Sequence, residues 1–275
     1  MNVFSVDVEE WFHVCGVGGA LAPERWPTLP SRVVTTTARL LDELDAAQVT
    51  ATFFVLGWVA DRYPELVQRI QTAGHSIASH GYGHIRVPEL GPAAFSADLS
   101  ASVRALRTAG AHAITAFRAP EWSLNLRTPW AFDELVAQQF AVDASMAPVR
   151  IVGQTSYPRR PHRRRTAHGA IIEVPPFVVD RLGQVVPLGW GWALRTWHPQ
   201  RILRAIEHSN ALGHPAVLTV HPWEIDDEPP RVRLPLRLHF AHYFRLSGFL
   251  DRLRILLRAA PFSTLEKVAH SASSM

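Results

Sequence analysis

The sequence predicts an α/β fold with parallel strands, and three observations predict it. Short apolar runs of strand length alternate with longer segments of helical period through most of the 275 residues. Gly and Pro mark the bounds of these segments, as at Gly57, Pro64, Gly74, Gly110 and Pro129. Ionisable residues also recur where the apolar runs stop: Asp7, Glu9, His80, His84, Arg118 and His221. In a (β/α) barrel the chemistry collects at the C-terminal ends of the strands, so residues distant in sequence converge there.

Each element has a local reason. Residues 3–6 form an apolar run read as a buried strand, delivering Asp7-Val8-Glu9-Glu10. Residues 11–32, rich in Gly and Pro, read as a loop carrying aromatic side chains. Residues 35–48 read as a helix with Leu40, Leu41 and Leu44 on one side, and 51–56 as a strand bounded by Gly57. A helix over 64–73 has Pro64 at its start and Gly74 just past its end. Residues 75–79 form a strand delivering His80, and 95–109 a helix stopped by Gly110. The strand 113–117 delivers Arg118. The helix 129–139 has Thr128 as its expected N-cap and Pro129 at its first position. Residues 140–142 deliver Asp143, and 170–174 form a strand ended by Pro175-Pro176. A helix over 200–212 precedes the strand 216–220, which delivers His221. Residues 247–258 are amphipathic, with Leu253, Ile255, Leu256 and Leu257 as core residues. Ser263 and Glu266 have the spacing of a capping box for a last helix.

Composition bounds the function. A hydrophobic fraction of 47% with 19% charged residues describes a globular chain with a sizeable core. No apolar stretch reaches the roughly 18 residues of a membrane-spanning helix. Asp7, Glu9 and Glu10 interrupt the N-terminus before a secretory signal could form, and Cys15 alone excludes an internal disulfide. The expected location is cytoplasmic, with peripheral attachment to the inner membrane left open. The isoelectric point near 9.8 accompanies a net charge of only +4, and much of the basic excess is Arg159, Arg160, Arg163, Arg164 and Arg165. Such a run reads as a solvated loop or as a patch for anionic glycan or carrier phosphate. No nucleic-acid motif accompanies it.

The candidate chemistry rests on combination. Two His at i and i+4 are ordinarily surface residues, and acids after a strand are ordinarily helix caps. Together, two imidazoles and up to three carboxylates provide what a hydrolytic metal site needs, with positions left open for water and substrate. Side chains alternate along a strand, so Asp7 and Glu9 share a face while Val8 points away. Trp11, Trp122, Trp190, Trp192 and Trp223 lie in predicted loops near strand ends, where flat rings suit the apolar faces of sugars. Trp190-Gly191-Trp192, preceded by Gly189, reads as an exposed loop and the best candidate for a substrate wall. His13, His75 and His112 read as structural or surface residues, and Asp143 as a supporting carboxylate.

The ordered series Ala51-Thr52-Phe53-Phe54-Val55-Leu56-Gly57, Gly74-His75-Ser76-Ile77-Ala78-Ser79-His80 to His84, Phe117-Arg118-Ala119-Pro120 and Val220-His221-Pro222-Trp223 resembles the polysaccharide deacetylase family, the NodB-homology carbohydrate esterases. The resemblance covers roughly residues 1–225. Ser5-Val6-Asp7-Val8-Glu9-Glu10-Trp11-Phe12-His13, with His221-Pro222-Trp223-Glu224, further resembles the exopolysaccharide/exosortase-locus-associated branch. The resemblance implies a distorted (β/α) barrel over 1–230 with a C-terminal helical extension, 231–275, packed on the same domain. It implies a divalent metal, usually zinc, and removal of N-acetyl groups from sugars of an exopolysaccharide or its lipid-linked precursor. Carried over by motif, Asp7 resembles the catalytic base, His80 and His84 metal ligands, Arg118 the residue orienting the base, and His221 the general acid.

Two departures from the family pattern bear on the site. Where the family has two adjacent Asp residues, this chain has Asp7-Val8; the shared face makes Glu9 the expected third ligand and Glu10 its competitor. Where the family commonly places Tyr after Arg-Ala-Pro, Glu121 stands, and its backbone N–H is the implied oxyanion donor. Glu121, Trp122, Trp190, Trp192 and Trp223 are the expected glycan contacts. The alternatives are a related amidohydrolase acting on cyclic imides and a non-catalytic glycan-binding component.

Overall fold

Residues 1–273 are described by a computed structural model. Its strands are β1 (Asn2–Val8), β2 (Thr52–Val55), β3 (Ser76–Ser79), β4 (Ala116–Phe117), β5 (Val142–Asp143), β6 (His162–Thr166), β7 (Gly169–Glu173), β8 (Val178–Arg181), β9 (Gln184–Pro187), β10 (Val217–Val220) and β11 (Phe262–Ser263). Its helices are α1 (Val33–Ala46), α2 (Gly57–Arg62), α3 (Pro64–Thr72), α4 (Val87–Thr108), α5 (Pro129–Ala137), α6 (Gly191–Thr196), α7 (Pro199–Ala211), α8 (Leu236–Tyr243), α9 (Phe249–Ala259) and α10 (Leu265–Ser273).

One sheet organises the molecule, in the order β10-β1-β2-β3-β4-β5-β7-β6. All neighbours are parallel except the terminal β6–β7 pair, and β10 and β6 stay unjoined, so the sheet curls into a half-barrel without closing. β11 adds a short parallel pairing with Asn2 and Val3 of β1. Strand alternation then sorts the side chains. Phe4, Val6 and Val8 of β1, Phe53 and Val55 of β2, and Leu218 and Val220 of β10 face outward into the main core beneath the helices. Val3, Phe54, Ala78, Ala116 and Val217 face inward. There they meet Leu265, Val268 and Ala269, so α10 lies inside the curl of the sheet and fills its floor. By the same parity Asp7, His80, Arg118 and His221, each an even number of residues beyond an inward-facing one, belong to the interior at the opposite end of the strands.

Several expectations are corrected. Of the arginine run, Arg163, Arg164 and Arg165 belong to an edge strand, β6, while Arg159 and Arg160 lie in the loop before it. The strand's half-buried positions are His162, Arg164 and Thr166, and the Arg164 guanidinium lies 4.0 Å from the Phe132 ring centre. Long cationic stems cover apolar surface while their charges guard an exposed edge against further pairing. Trp190-Gly191-Trp192 is not an exposed loop, because α6 begins at Gly191. Thr128 gives α5 no side-chain cap; its hydroxyl bonds back to Asn125. Nor do Ser263 and Glu266 form a capping box. Ser263 belongs to β11, and Glu266 accepts from Thr52 Oγ1 at 2.9 Å. Helix α4 starts at Val87, eight residues before the expected start, and is broken at Gly91 with φ +70°. The β8–β9 hairpin and α2 had no sequence expectation, and α8 falls in the 231–275 segment expected only in general terms to be helical.

Candidate active site

The inward parity of β1 carries Asp7 to a buried position against Arg118, which arrives at the end of β4. Arg118 Nη1 donates to Asp7 Oδ1 at 2.6 Å and to Ser5 Oγ at 3.0 Å. Its guanidinium lies 4.1 Å from the Phe54 ring centre, held flat on the barrel lining. The other oxygen of Asp7 has no protein partner among the described residues. An ion pair this deep is costly to desolvate and tolerates loss of neither partner.

Beside it, Glu9, His80 and His84 converge. Glu9 Oε1 lies 2.8 Å from His80 Nε2 and 2.9 Å from His84 Nε2, all three residues being buried. His80 follows directly from β3. His84 is reached by a tight turn: Gly81 takes φ +76°, and the Asp98 carboxylate accepts from Tyr82 N at 2.8 Å and Gly83 N at 3.1 Å. His84 itself holds φ +52°. Of the seven such non-glycine residues among the described residues, His84, Glu121 and Trp122 all belong to this site; each conformation costs roughly 1–3 kcal/mol, and such strain clusters at functional positions.

The donor set fits a divalent ion, for a reason of proton bookkeeping. His80 Nδ1 is 2.8 Å from the Arg118 carbonyl oxygen, which offers only lone pairs, so Nδ1 carries the hydrogen. In the neutral ring Nε2 is then a bare lone pair facing the Glu9 carboxylate. Two lone pairs at 2.8 Å need a cation between them, and a second imidazole meets the same oxygen. A backbone carbonyl holding the far nitrogen is the usual support of a metal-bound histidine. Without a metal, protons take that role. Burial pushes Glu9 up, but the charges of His84 and His221 and the hydrogen bonds from both histidines outweigh it, holding the carboxyl well below its usual range. Glu10 does not join this group. Its carboxylate turns to the start of α1, accepting from the Ser31 hydroxyl and from Arg32 N at 3.0 Å.

Opposite Asp7 stands His221, at the end of β10. Donor atoms of Asp7, Glu9 and His221 lie within 4.8 Å of one another. His221 Nδ1 is 3.1 Å from Glu224 Oε2, leaving Nε2 toward Glu9 Oε2 at 4.0 Å. Burial opposes charge on this ring, yet Glu9 and Glu224 outweigh burial and push it up to about 9. Glu224 in turn pairs with Arg195 Nε at 3.0 Å, and Arg195 also donates to the carbonyls of Ala241, His242 and Phe244 that end α8. Gly191 makes this possible: a Cβ there would fall within the Glu224 carboxylate.

Asp7, Glu9, His84, His221, Glu121, Trp122 and Trp223 line a cavity of about 200 Å³, with Leu238, Ala241 and His242 of α8 at its margin. Trp223 stacks between His221 (5.3 Å) and His242 (4.1 Å), and burial holds His242 down at about 4, neutral. Trp122 lies in the wall, backed by Trp190 in a stack at 4.5 Å, so Trp190 supports the wall rather than forming it. Trp192 stands apart, 42% exposed on α6, and Trp11 is core, donating to Pro30 O at 2.9 Å. The Glu121 carboxylate faces Arg86 Nη2 at 2.6 Å. His13 is a wall residue: its Nδ1 accepts from Glu10 N at 3.2 Å, and its buried Nε2 has no partner. Asp143 sits outside the cavity; it accepts from the Ser145 hydroxyl at 2.6 Å, which accepts from Ala119 N at 2.8 Å, bracing the turn after Arg118. Glu224 and Arg195 escaped sequence reasoning. The i, i+3 spacing of His221 and Glu224 was the available signal; Arg195 had none.

Comparison with known proteins places these residues in context. A family model described as polysaccharide deacetylase matches residues 27–139, and one described as domain of unknown function (DUF3473) matches 144–270. His80, His84, Arg118 and Trp122 fall in the first segment, His221 and Trp223 in the second, and Asp7 and Glu9 precede both. Chitin deacetylase 2 of Saccharomyces cerevisiae is 31% identical over 108 residues, 39% of this chain and 32% of that protein. A chitooligosaccharide deacetylase of a Bradyrhizobium species is 33% identical over 110 residues, 39% of this chain and 50% of that protein. The matched stretches thus span half or less of these curated relatives. A Mycobacterium smegmatis structure described as a polysaccharide deacetylase shares the fold with a TM-score of 0.67 at 21% identity, over 99% of this chain and 89% of that one. From the series of motifs at the strand ends and the matched family models, the chain carries a polysaccharide deacetylase domain, matched over residues 27–139, followed by the DUF3473 segment.

Proposed function

We propose that this protein is a metal-dependent N-deacetylase acting on N-acetylated sugars of a bacterial exopolysaccharide or its lipid-linked precursor, with zinc as the metal. The observation that carries the reading is the convergence, on one cavity, of a carboxylate fixed by an arginine, a carboxylate–imidazole–imidazole donor set, and an imidazole fixed by a carboxylate. The names of the matched relatives, deacetylases of chitin and chitooligosaccharides, support the same chemistry.

Glu9, His80 and His84 would hold the ion, which when bound supplies Lewis acidity and a more acidic water. Asp7, with one oxygen locked by Arg118, presents its other oxygen to take the proton of the attacking water. The backbone N–H of Glu121, a residue lining the cavity, would stabilise developing negative charge on the acetyl oxygen. His221, its Nδ1 engaged by Glu224, holds a proton at Nε2 for the departing amine. Trp122 and Trp223 give the sugar an apolar wall.

The test is metal content of the purified protein beside a His80→Ala/His84→Ala variant, with acetate release from N-acetylglucosamine oligomers measured on both. Stoichiometric metal and acetate release, both lost in the variant, are the expected result. A wild-type protein that takes up no zinc would overturn the reading.

A further inference from the structure

A second, strongly basic cavity lies at the far end of α6. It has a volume of about 430 Å³ and is lined by Arg181, Arg201, Arg245 and Arg252 together with Trp197 and His198. This lies in the roughly 300–1,000 Å³ range of small-molecule sites. No carboxylate lines it, and none of the four arginines takes part in an ion pair among the described residues. Four separate parts of the fold supply them: Arg181 ends β8, Arg201 opens α7, Arg245 follows α8 and Arg252 lies on α9. Like charges gathered this closely repel unless an anion or bulk solvent compensates them.

Three of the arginines are also held in place. Arg245 Nη1 donates to the Thr196 carbonyl and Arg252 Nη1 to the Trp197 carbonyl, each at 3.2 Å. The Arg181 guanidinium lies over the Trp197 ring, 5.0 Å from its centre. Each such contact occupies only part of a five-donor fork, leaving donors to converge on the cavity. Planar guanidinium groups of this kind recognise phosphate oxygens in bidentate fashion.

We propose that this cavity binds a phosphate-class anion. The chemistry is that of a diphosphate or phosphodiester group, carried either by a soluble ligand or by a lipid at a membrane surface. Two neighbouring features say where a lipid source would lie. From 229 to 250 the chain contains no acidic residue. Leu236 and Phe240 of α8, leading to Arg245, are 88% and 50% exposed. The proposal does not depend on the deacetylase reading, since none of its residues lines the catalytic cavity.

The experiment compares the wild-type protein with an R181Q/R201Q variant. Both side chains are exposed and neither donates a hydrogen bond within the described residues, so the fold should persist, as circular dichroism would verify. Binding of inorganic pyrophosphate is measured by calorimetry, with the His80→Ala/His84→Ala protein as a control for chelation at the metal site. Sedimentation with phosphatidylcholine vesicles, with and without phosphatidylglycerol, is measured alongside. A loss of about tenfold or more in pyrophosphate affinity, confined to R181Q/R201Q, supports the site with a soluble ligand. Loss of sedimentation with anionic vesicles alone supports it with a lipid-borne one. If neither measurement distinguishes the variant from wild type, or neither probe binds at low salt, the proposal is overturned. Acetate release from soluble oligomers should be unchanged in R181Q/R201Q, so a failure here and a failure of the deacetylase reading would be told apart.

Discussion

Asp7 and His221 face each other across Glu9 with their far sides already occupied, Asp7 by Arg118 and His221 by Glu224. Each therefore has one free valence toward the cavity, and each is fixed in orientation before substrate arrives. Asp7→Asn keeps an oxygen for Arg118 but cannot take a proton. His221→Ala removes the donor to the amine. Each should lower kcat by about a hundredfold to ten-thousandfold with an unchanged circular dichroism spectrum, measured by acetate release. This layer was largely legible in the sequence: strand alternation alone puts Asp7 and Glu9 on one face and turns Val8 to the core. What alternation could not supply was the partner of His221. The Glu224–Arg195 pair depends on a helix folding back over the end of β10, and nothing local to residue 195 announces it.

At the scale of elements, α6 is the least expected and among the most consequential. It has six residues, begins at a Trp-Gly step, and packs its first glycine against Glu224. Gly191→Ala should displace that carboxylate, costing about 1–3 kcal/mol in stability through overpacking and at least about tenfold in kcat through a misplaced His221. Combining it with Glu224→Asp, which withdraws the carboxylate by one methylene, should restore part of the melting temperature; no restoration in thermal denaturation would refute the steric account. The elements that escaped reading share physical reasons. Helix α2 is only six residues long, α8 shows apolar residues to solvent, and β6 carries three consecutive arginines between His162 and Thr166 where strand patterns carry apolar residues. The long apolar strands and the helices opened by Pro64 and Pro129 were legible because packing and backbone geometry agree there.

For the whole molecule, the half-barrel is held from inside as well as outside. Leu265 of α10 is fully buried against the inner strand faces. Leu265→Ala should cost about 2–5 kcal/mol, read from urea denaturation. The Ser263–Glu266 spacing pointed to a final helix, though not through the capping box expected, and it could not say that the helix lies within the sheet. A second feature sets a pH dependence. Asp143 and Glu173 are adjacent across β5 and β7 and fully buried. Burial, then the Asp143 carboxylate, pushes Glu173 well above its ordinary 4.5. Below that ordinary value both folded and unfolded chains hold the proton. Above it the unfolded chain releases the proton while the folded one retains it, so this group's stabilisation is lost as pH climbs toward the folded value. Glu173→Gln keeps an acceptor for Met146 N and removes the titration; its unfolding free energy should fall less steeply than wild type as pH rises above the ordinary carboxylate value. Superimposable pH profiles would contradict the assignment.

The pairing of β1 with three other strands has a consequence in time. The strand that carries Asp7 is synthesised long before its neighbours β10 and β11, which come from residues 217–220 and 262–263. At about 5–20 residues per second, translation leaves this strand without those neighbours for roughly 10–40 s. An apolar strand edge is exposed throughout that interval, and a site that needs both Asp7 and His221 can assemble only after residue 221 has been synthesised.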